Sequence, residues 1–279
     1  MREFKDRVAV ITGAASGIGR ALAERCVQED MKVVLADVEA EALLQTEAGM
    51  KASGATVLAV RTDVSQTRDV EALAQKTLEA FGGVHLLCNN AGVGGPDAPI
   101  WESTIADWEW VLGVNLWGVI HGVRVFVPIM LAQDTAGHIV NTASGGGLVS
   151  CHGLGPYRVS KHGVVSLSET LHHELVNREA KVKISVLCPG FVNTRIVESV
   201  GNRPGHPPTE PSGPAPQALR EVLRQLVQAG MPPGQVADAV FKAIREDRFY
   251  ILTHPEDKTG VRTRMEDILQ ERNPTPPGP

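Results

Sequence analysis

Thiols are scarce in this chain. Cys26, Cys88, Cys151 and Cys188 are its four cysteines, and no two stand as C-x-x-C. A zinc site needs clustered thiolates or imidazoles, and neither these spacings nor His172-His173 supply one. The expectation is four small free thiols in a reducing compartment, and no metal. No run of Lys or Arg occurs, and the net charge is −5. The phosphate footprint of a nucleic-acid binder is therefore missing, as is a basic amphipathic segment for a membrane surface. The chain starts Met1-Arg2-Glu3-Phe4-Lys5-Asp6, without an apolar h-region, so no signal peptide is expected. The most apolar long stretch, 111–132, is broken by Asn115, His121, Arg124 and Pro128 and does not read as a membrane span. These absences predict a soluble, cytoplasmic protein. Aromatics make up only 4%, and Tyr157 and Tyr250 are the only two tyrosines.

What is present is alternation. Hydrophobic residues make up 43% of 279, enough for a sizeable core in one α/β unit. Short β-branched runs at 7–12, 32–37, 56–61, 84–88, 138–142 and 183–187 read as strands, with 249–252 as a candidate last one. Helical patterns lie at 18–30, 69–81, 107–131, 156–177, 217–228 and 235–245. Near-continuous apolar strands between helices imply a parallel sheet covered on both faces, hence a doubly wound α/β fold. The stretch 201–216 is too dense in Pro and Gly for helix or central strand, and reads as a lid or a disordered loop. Residues 1–255 are read as one domain and 256–279 as a C-terminal extension, disordered from Asn273.

After the first strand comes Thr12-Gly13-Ala14-Ala15-Ser16-Gly17-Ile18-Gly19. Glycines permit a tight turn and close backbone approach. The helix that follows aims its free N–H groups and positive dipole end at that turn, an arrangement that binds a pyrophosphate. Three glycines could also make an ordinary strand-to-helix turn; their place after the first strand favours a dinucleotide. Asp37 closes the second strand, where a carboxylate accepts from the adenosine ribose hydroxyls of NAD and repels the 2′-phosphate of NADP. No basic residue stands at Ala15, Ser16 or Val38 to receive that phosphate. The alternative is that Asp37 merely caps the next helix.

Tyr157 and Lys161 stand at i and i+4, on one face of a helix. Many helices carry such a pair at their surface. Here Tyr157 follows Gly153-Leu154-Gly155-Pro156, with proline where a helix would start, and this poises the phenol at the mouth of a site. Taken in order, Thr12-Gly13-x-x-x-Gly17-Ile18-Gly19, Asn89-Asn90-Ala91-Gly92, Asn115, Ser144, Tyr157-x-x-x-Lys161 and Pro189-Gly190-x-Val192-x-Thr194 closely resemble the short-chain dehydrogenase/reductase family. The resemblance covers residues 7–252. It implies a single-domain, seven-stranded parallel sheet of Rossmann type with helices on both faces.

By the same resemblance, Gly13, Ser16, Gly17, Ile18 and Gly19 would cradle the pyrophosphate and adjoining ribose of NAD. Asp37 would hold the adenosine ribose and Asp63-Val64 would meet the adenine. Asn90 would lie beside the cofactor, with Asn89 and Gly92 fixing the sheet and the close approach. Val192 and Thr194 would contact the nicotinamide end. Asn115, Ser144, Tyr157 and Lys161 would form a catalytic tetrad, with Tyr157 and Lys161 also at the cofactor. Tyr157 would be the general acid/base, Ser144 would bond the substrate oxygen, Lys161 would tune the phenol and hold the nicotinamide ribose, and Asn115 would order a relay water. Val159 stands where the family commonly has Ala.

The resemblance predicts hydride transfer between NAD(H) and a secondary alcohol or ketone. Few charges stand at 94–101, 145–154 and beyond Thr194, so a mainly apolar small-molecule substrate is expected. Arg195 reads as a surface residue, the alternative being a pair with an acidic group on the substrate, and Cys151 and His152 read as packing or exposed residues. A dimer or tetramer is expected, with the helices at 107–131 and 156–177 as an interface. Trp108, Trp110, Trp117 and Phe126 would serve that face or the monomer's core. The alternatives are a catalytically silent NAD-binding redox sensor of the same fold and, more weakly, an isomerase or dehydratase.

Overall fold

A computed structural model describes residues 1–96, 98–199 and 214–276, with the side chains of 214–220 left aside. Seven parallel strands run in the order β3-β2-β1-β4-β5-β6-β7: β1 (Val8–Thr12), β2 (Lys32–Asp37), β3 (Val57–Arg61), β4 (Leu86–Asn89), β5 (Gly137–Thr142), β6 (Val182–Cys188) and β7 (Tyr250–Leu252). Every residue of β1, β4 and β5 is buried, so their sequences lack the alternation of a half-exposed strand, and Thr12, Asn89, His138, Asn141 and Thr142 are polar residues buried within them. Strand order reverses between β1 and β4, and a crevice opens there beyond the carboxyl ends of the strands.

Helices α1 (Gly17–Gln28), α2 (Ala40–Ala52) and α8 (Pro233–Arg245) cover one face of the sheet. Leu22, Leu43 and Phe241 are their buried anchors. Helices α3 (Thr67–Phe81), α5 (Gly118–Ala132) and α6 (Gly155–Asn177) cover the other through Leu73, Phe126, Met130 and Leu171. Each fully buried phenylalanine contributes about 2–3 kcal/mol. The doubly wound, seven-stranded architecture is as the sequence predicts.

Four local expectations are corrected. The helix expected at 107–131 is interrupted: α4 (Ile105–Leu112) passes through a π turn (Gly113–Trp117) into α5. Thr104 and Asp107 form a reciprocal capping box that starts it earlier than hydrophobic spacing suggests. By length and composition Ile105–Ala132 could cross a bilayer, but Val111, Val119, Phe126 and Met130 are buried in the fold. Helix α2 was not predicted, because only Leu43, Thr46 and Met50 of its residues are buried and the periodic signal is thin. Pro214 and Pro216, expected in a non-helical stretch, begin α7 (Pro214–Gln228), since a first turn tolerates missing N–H groups. The rest of the expected lid, 201–213, lies outside the described residues.

The fourth correction is the C-terminal segment. It forms α9 (Asp257–Leu269), and Thr275, expected in a disordered tail, is tied back: its N–H donates to Asp267 Oδ2 at 2.8 Å. Gly260 of α9 faces Val149, so this segment lies against the loop that follows β5.

Candidate active site

The glycine turn sits at the crevice. Gly13 and Gly17 have φ of 69° and 54°, in the left-handed region that favours glycine. A methyl group on Gly19 would overlap the Gly13 carbonyl, so α1 can start against β1 only with glycine there. Ser16 is the N-cap of α1, yet its side chain makes no capping bond, and the first turn holds no acidic residue. The N–H groups and positive end of α1 therefore face the crevice without an internal anion. A cleft of about 460 Å³ opens there, bordered by Ser16, Gly17, Arg20, Thr194 and Arg195. Arg20 is paired with Glu24.

Asp37, half-buried at the end of β2, accepts two main-chain hydrogen bonds. Its Oδ2 accepts from Ala15 N–H of the glycine turn at 2.9 Å, and its Oδ1 accepts from Glu39 N–H at 3.0 Å. It thus braces the glycine turn and the chain entering α2, whose N-cap is Glu39, with one lone pair on each oxygen left over. Its register partner on β3 is the exposed Arg61, a basic neighbour that linear spacing hid. Asp63 accepts from Ser65 N–H and Oγ, at 3.0 and 2.7 Å. Val64 is buried against Gly118 of α5, and its carbonyl meets His121 Nδ1 at 2.9 Å.

Asn90 follows β4 and is bound to the first strand. Its amide donates to the Thr12 carbonyl at 3.1 Å, and its own N–H donates to Thr12 Oγ1 at 2.9 Å. Thr12 Oγ1 also accepts from Ala91 N–H at 3.0 Å, a bracing role the sequence reading missed. Asn89 is buried against Gly122 of α5, and its amide donates to Asn141 Oδ1 at 2.9 Å. Val192 is buried and bridges to Met231, while Thr194 lies against Gly17.

Ser144, Tyr157 and Lys161 come together across the crevice from these groups. Ser144 follows β5; its Oγ accepts from Gly146 N–H at 3.1 Å and hydrogen-bonds the Tyr157 phenol. Tyr157 sits in the first turn of α6, whose N-cap Leu154 takes φ 56° before Gly155 and Pro156. Lys161, one turn on, places Nζ 5.6 Å from the Tyr157 ring centre and donates to the Thr142 carbonyl at 3.0 Å. Burial pushes the phenol up from its ordinary value, with the Ser144 bond and the Arg158 charge opposing. Burial also pulls the Lys161 ammonium down to about 8.

Asn115 is fully buried in the π turn. Its Oδ1 accepts from Val93 N–H and its Nδ2 donates to the Val93 carbonyl and to Ser160 Oγ. Both amide hydrogens and one lone pair are thereby committed to protein groups. Gly92 lies between Asn115 and Lys161, where a side chain would meet Nζ at 3.5 Å.

Arg158 staples the loop above, donating to the carbonyls of Gly153 and Val149 and to Cys151 Sγ. Cys188 is fully buried and its thiol is pushed up to about 12 by burial, which leaves it inert. His254 and Asp257, close to Gly190 and Gly145, had no signal in the sequence.

Comparison with known proteins agrees with this geometry. The profile of the short chain dehydrogenase family matches residues 7–204. The chain is 36% identical to the CLA biosynthesis dehydrogenase/reductase of Lactiplantibacillus plantarum, over 98% of this chain and 97% of that protein. It is 34% identical to the 1-deoxy-11-beta-hydroxypentalenate dehydrogenase of Streptomyces exfoliatus, over 99% and 93%. A crystal structure of a short chain dehydrogenase/reductase from Burkholderia phymatum in complex with NAD superposes with a TM-score of 0.95 at 52% identity, covering 100% of both chains. By fold, by the ordered motifs and by these matches, the chain belongs to the short chain dehydrogenase family.

Proposed function

We propose that this protein interconverts a secondary alcohol and a ketone with NAD(H), Tyr157 moving the proton. The observation that carries the reading is the Ser144–Tyr157–Lys161 cluster, opposite an uncapped helix N-terminus at the strand-order switch. The donor set fits NAD: free N–H groups of α1 suit the pyrophosphate, and the lone pairs left on Asp37 suit an unphosphorylated ribose. The Burkholderia phymatum relative with NAD supports that choice. Bound there, NAD supplies or takes the hydride.

The chain's own residues do the rest. Ser144 Oγ hydrogen-bonds the substrate oxygen as its charge changes. Tyr157 accepts the hydroxyl proton in oxidation and returns it in reduction. Bringing a phenol from ~10 to near neutrality requires roughly 4 kcal/mol. The Lys161 ammonium, at 5.6 Å from the ring, supplies on the order of 3 kcal/mol at an effective dielectric of ~20. With its own value at about 8 it is still mostly charged at neutral pH. Asn115 orders the loop that leaves β4, and Asn90, Val192 and Thr194 shape the wall beside the glycine turn. Asp63 and Val64 close the adenine end.

Apolar residues such as Ile100, Leu148 and Ile196 around the crevice favour a mainly apolar substrate. Exposed Trp117 on the π turn and exposed Val159 on α6 favour a homo-oligomer, a dimer or tetramer. The test is NADH formation across a panel of secondary alcohols. Turnover supports the reading. Tight NAD binding with no turnover on a broad panel would turn it to a silent sensor, and product without net NADH to an isomerase or dehydratase.

A further inference from the structure

The C-terminal segment contributes a carboxyl group that the proposed chemistry does not use. His254 follows β7 and lies on Gly190, where any side chain would meet its ring at 2.8 Å. Its Nδ1 accepts from Gly190 N–H at 3.1 Å. This bond pins the segment to the Pro189-Gly190 turn, and that turn also accepts from Gly145 N–H and Ser144 Oγ.

Asp257 comes one helical turn later, with its N–H on the His254 carbonyl. It lands over Gly145, the neighbour of Ser144. A methyl group built on Gly145 would lie 3.1 Å from Asp257 Oδ2, so the carboxyl sits close over this turn and a side chain there would have to push it back. Oδ2 is buried and has no hydrogen-bond partner among the described residues. Burial raises the acid above its ordinary value and the neighbouring Glu256 adds to this, while His254 opposes. An orphaned buried acceptor is costly, and such groups in native proteins call for a donor.

We infer that Asp257 is a specificity residue that accepts a hydrogen bond from a second hydroxyl of the substrate, a few bonds from the carbinol held by Ser144 and Tyr157. The inference rests on the alcohol–ketone reading and narrows its substrate to alcohols carrying a further hydroxyl. Ser144 and Asp257 both stand at the Ser144-Gly145 turn. One anchor holds the reacting oxygen and the other fixes which way the molecule lies. His254 is the positioning residue that sets Asp257 in place.

The probes are cyclohexanol and the vicinal and meta cyclohexanediols. Binding is measured by calorimetry on Tyr157→Phe protein with NADH, where turnover cannot confuse it, and kcat/KM on the parent protein. One diol is expected to bind roughly tenfold or more tighter than cyclohexanol, the worth of a bond to a charged acceptor. In Asp257→Ala that ratio falls toward one. Asp257→Asn, which keeps the shape and weakens the acceptor, gives an intermediate ratio and covers the case in which the alanine variant folds poorly. Equal binding of all the alcohols, or a diol preference that survives in Asp257→Ala, overturns the inference. A preference in binding with no turnover of any alcohol by the parent protein leaves the recognition standing and removes the dehydrogenase reading instead.

Discussion

Asn115 clasps the main chain of Val93 from both sides, accepting from its N–H at 2.8 Å and donating to its carbonyl at 2.9 Å. Asn115 lies on the π turn of the long α4–α5 helix, and Val93 lies on the loop that leaves β4. The clasp ties the crevice wall to the helix that the irregular turn re-aims.

Asn115→Ala leaves two main-chain groups of Val93 without partners. The expected loss is roughly 2–4 kcal/mol of stability, at about 1–3 kcal/mol per unsatisfied group. Urea unfolding at neutral pH measures it. A change under about 0.5 kcal/mol, typical of a surface substitution, would show that the clasp carries no load.

Two helix-interior glycines should respond in opposite directions. Gly49 of α2 has nothing near the position of a Cβ, so Gly49→Ala should stabilise by about 0.5–1 kcal/mol. A methyl on Gly122 of α5 would overlap Asn89 Oδ1, so Gly122→Ala should destabilise by about 1–3 kcal/mol despite the better helix propensity. Thermal melts of both variants decide the matter, and equal shifts of one sign would contradict the packing described.

Asp37→Ala removes an acceptor and a negative charge beside the ribose position, and also releases Ala15 N–H. Use of NAD should fall by roughly tenfold to a hundredfold in kcat/KM, and the ratio of NADP to NAD use should rise, aided by Arg61 on β3. An unchanged ratio would leave Asp37 as a brace for the turn and no more.

Lys161 links the site to stability. Its ammonium is pulled from 10.5 down to about 8 by burial. Between those values the unfolded chain binds a proton that the native chain lacks, so this residue's contribution to stability rises with pH. The charged form is penalised below about pH 8, and the penalty is relieved above it. The stability of the parent protein relative to Lys161→Met should therefore grow by roughly 2–3 kcal/mol from pH ~8 to pH ~10. A flat difference across that range would place the amine in contact with solvent.

Much of this was legible in the chain. The strands announced themselves as short β-branched runs, and Gly13, Gly17 and Gly19 stood where the turn required them. The proximity of Ser144 to Tyr157 and Lys161 came only from the resemblance, because no local pattern spans that distance. Helix α2 and helix α9 were missed for one reason. Few of their side chains are buried, and α9 is held by single contacts such as Gly260 on Val149 and Asp267 with Thr275, which leave no period to read. His254 and Asp257 were invisible for the same cause. The Asn115 clasp was hidden because hydrophobic spacing cannot report a π turn.

The most direct test of the central claim is the Tyr157→Phe protein, assayed for NADH formation beside the parent on secondary alcohols, with NAD binding measured on both. The account predicts that NAD affinity stays within about twofold, since one hydroxyl is removed from a site with many other donors, while kcat falls by ~100-fold or more, as loss of a general acid/base implies. A phenylalanine variant that still turns over at near the parent rate would contradict it.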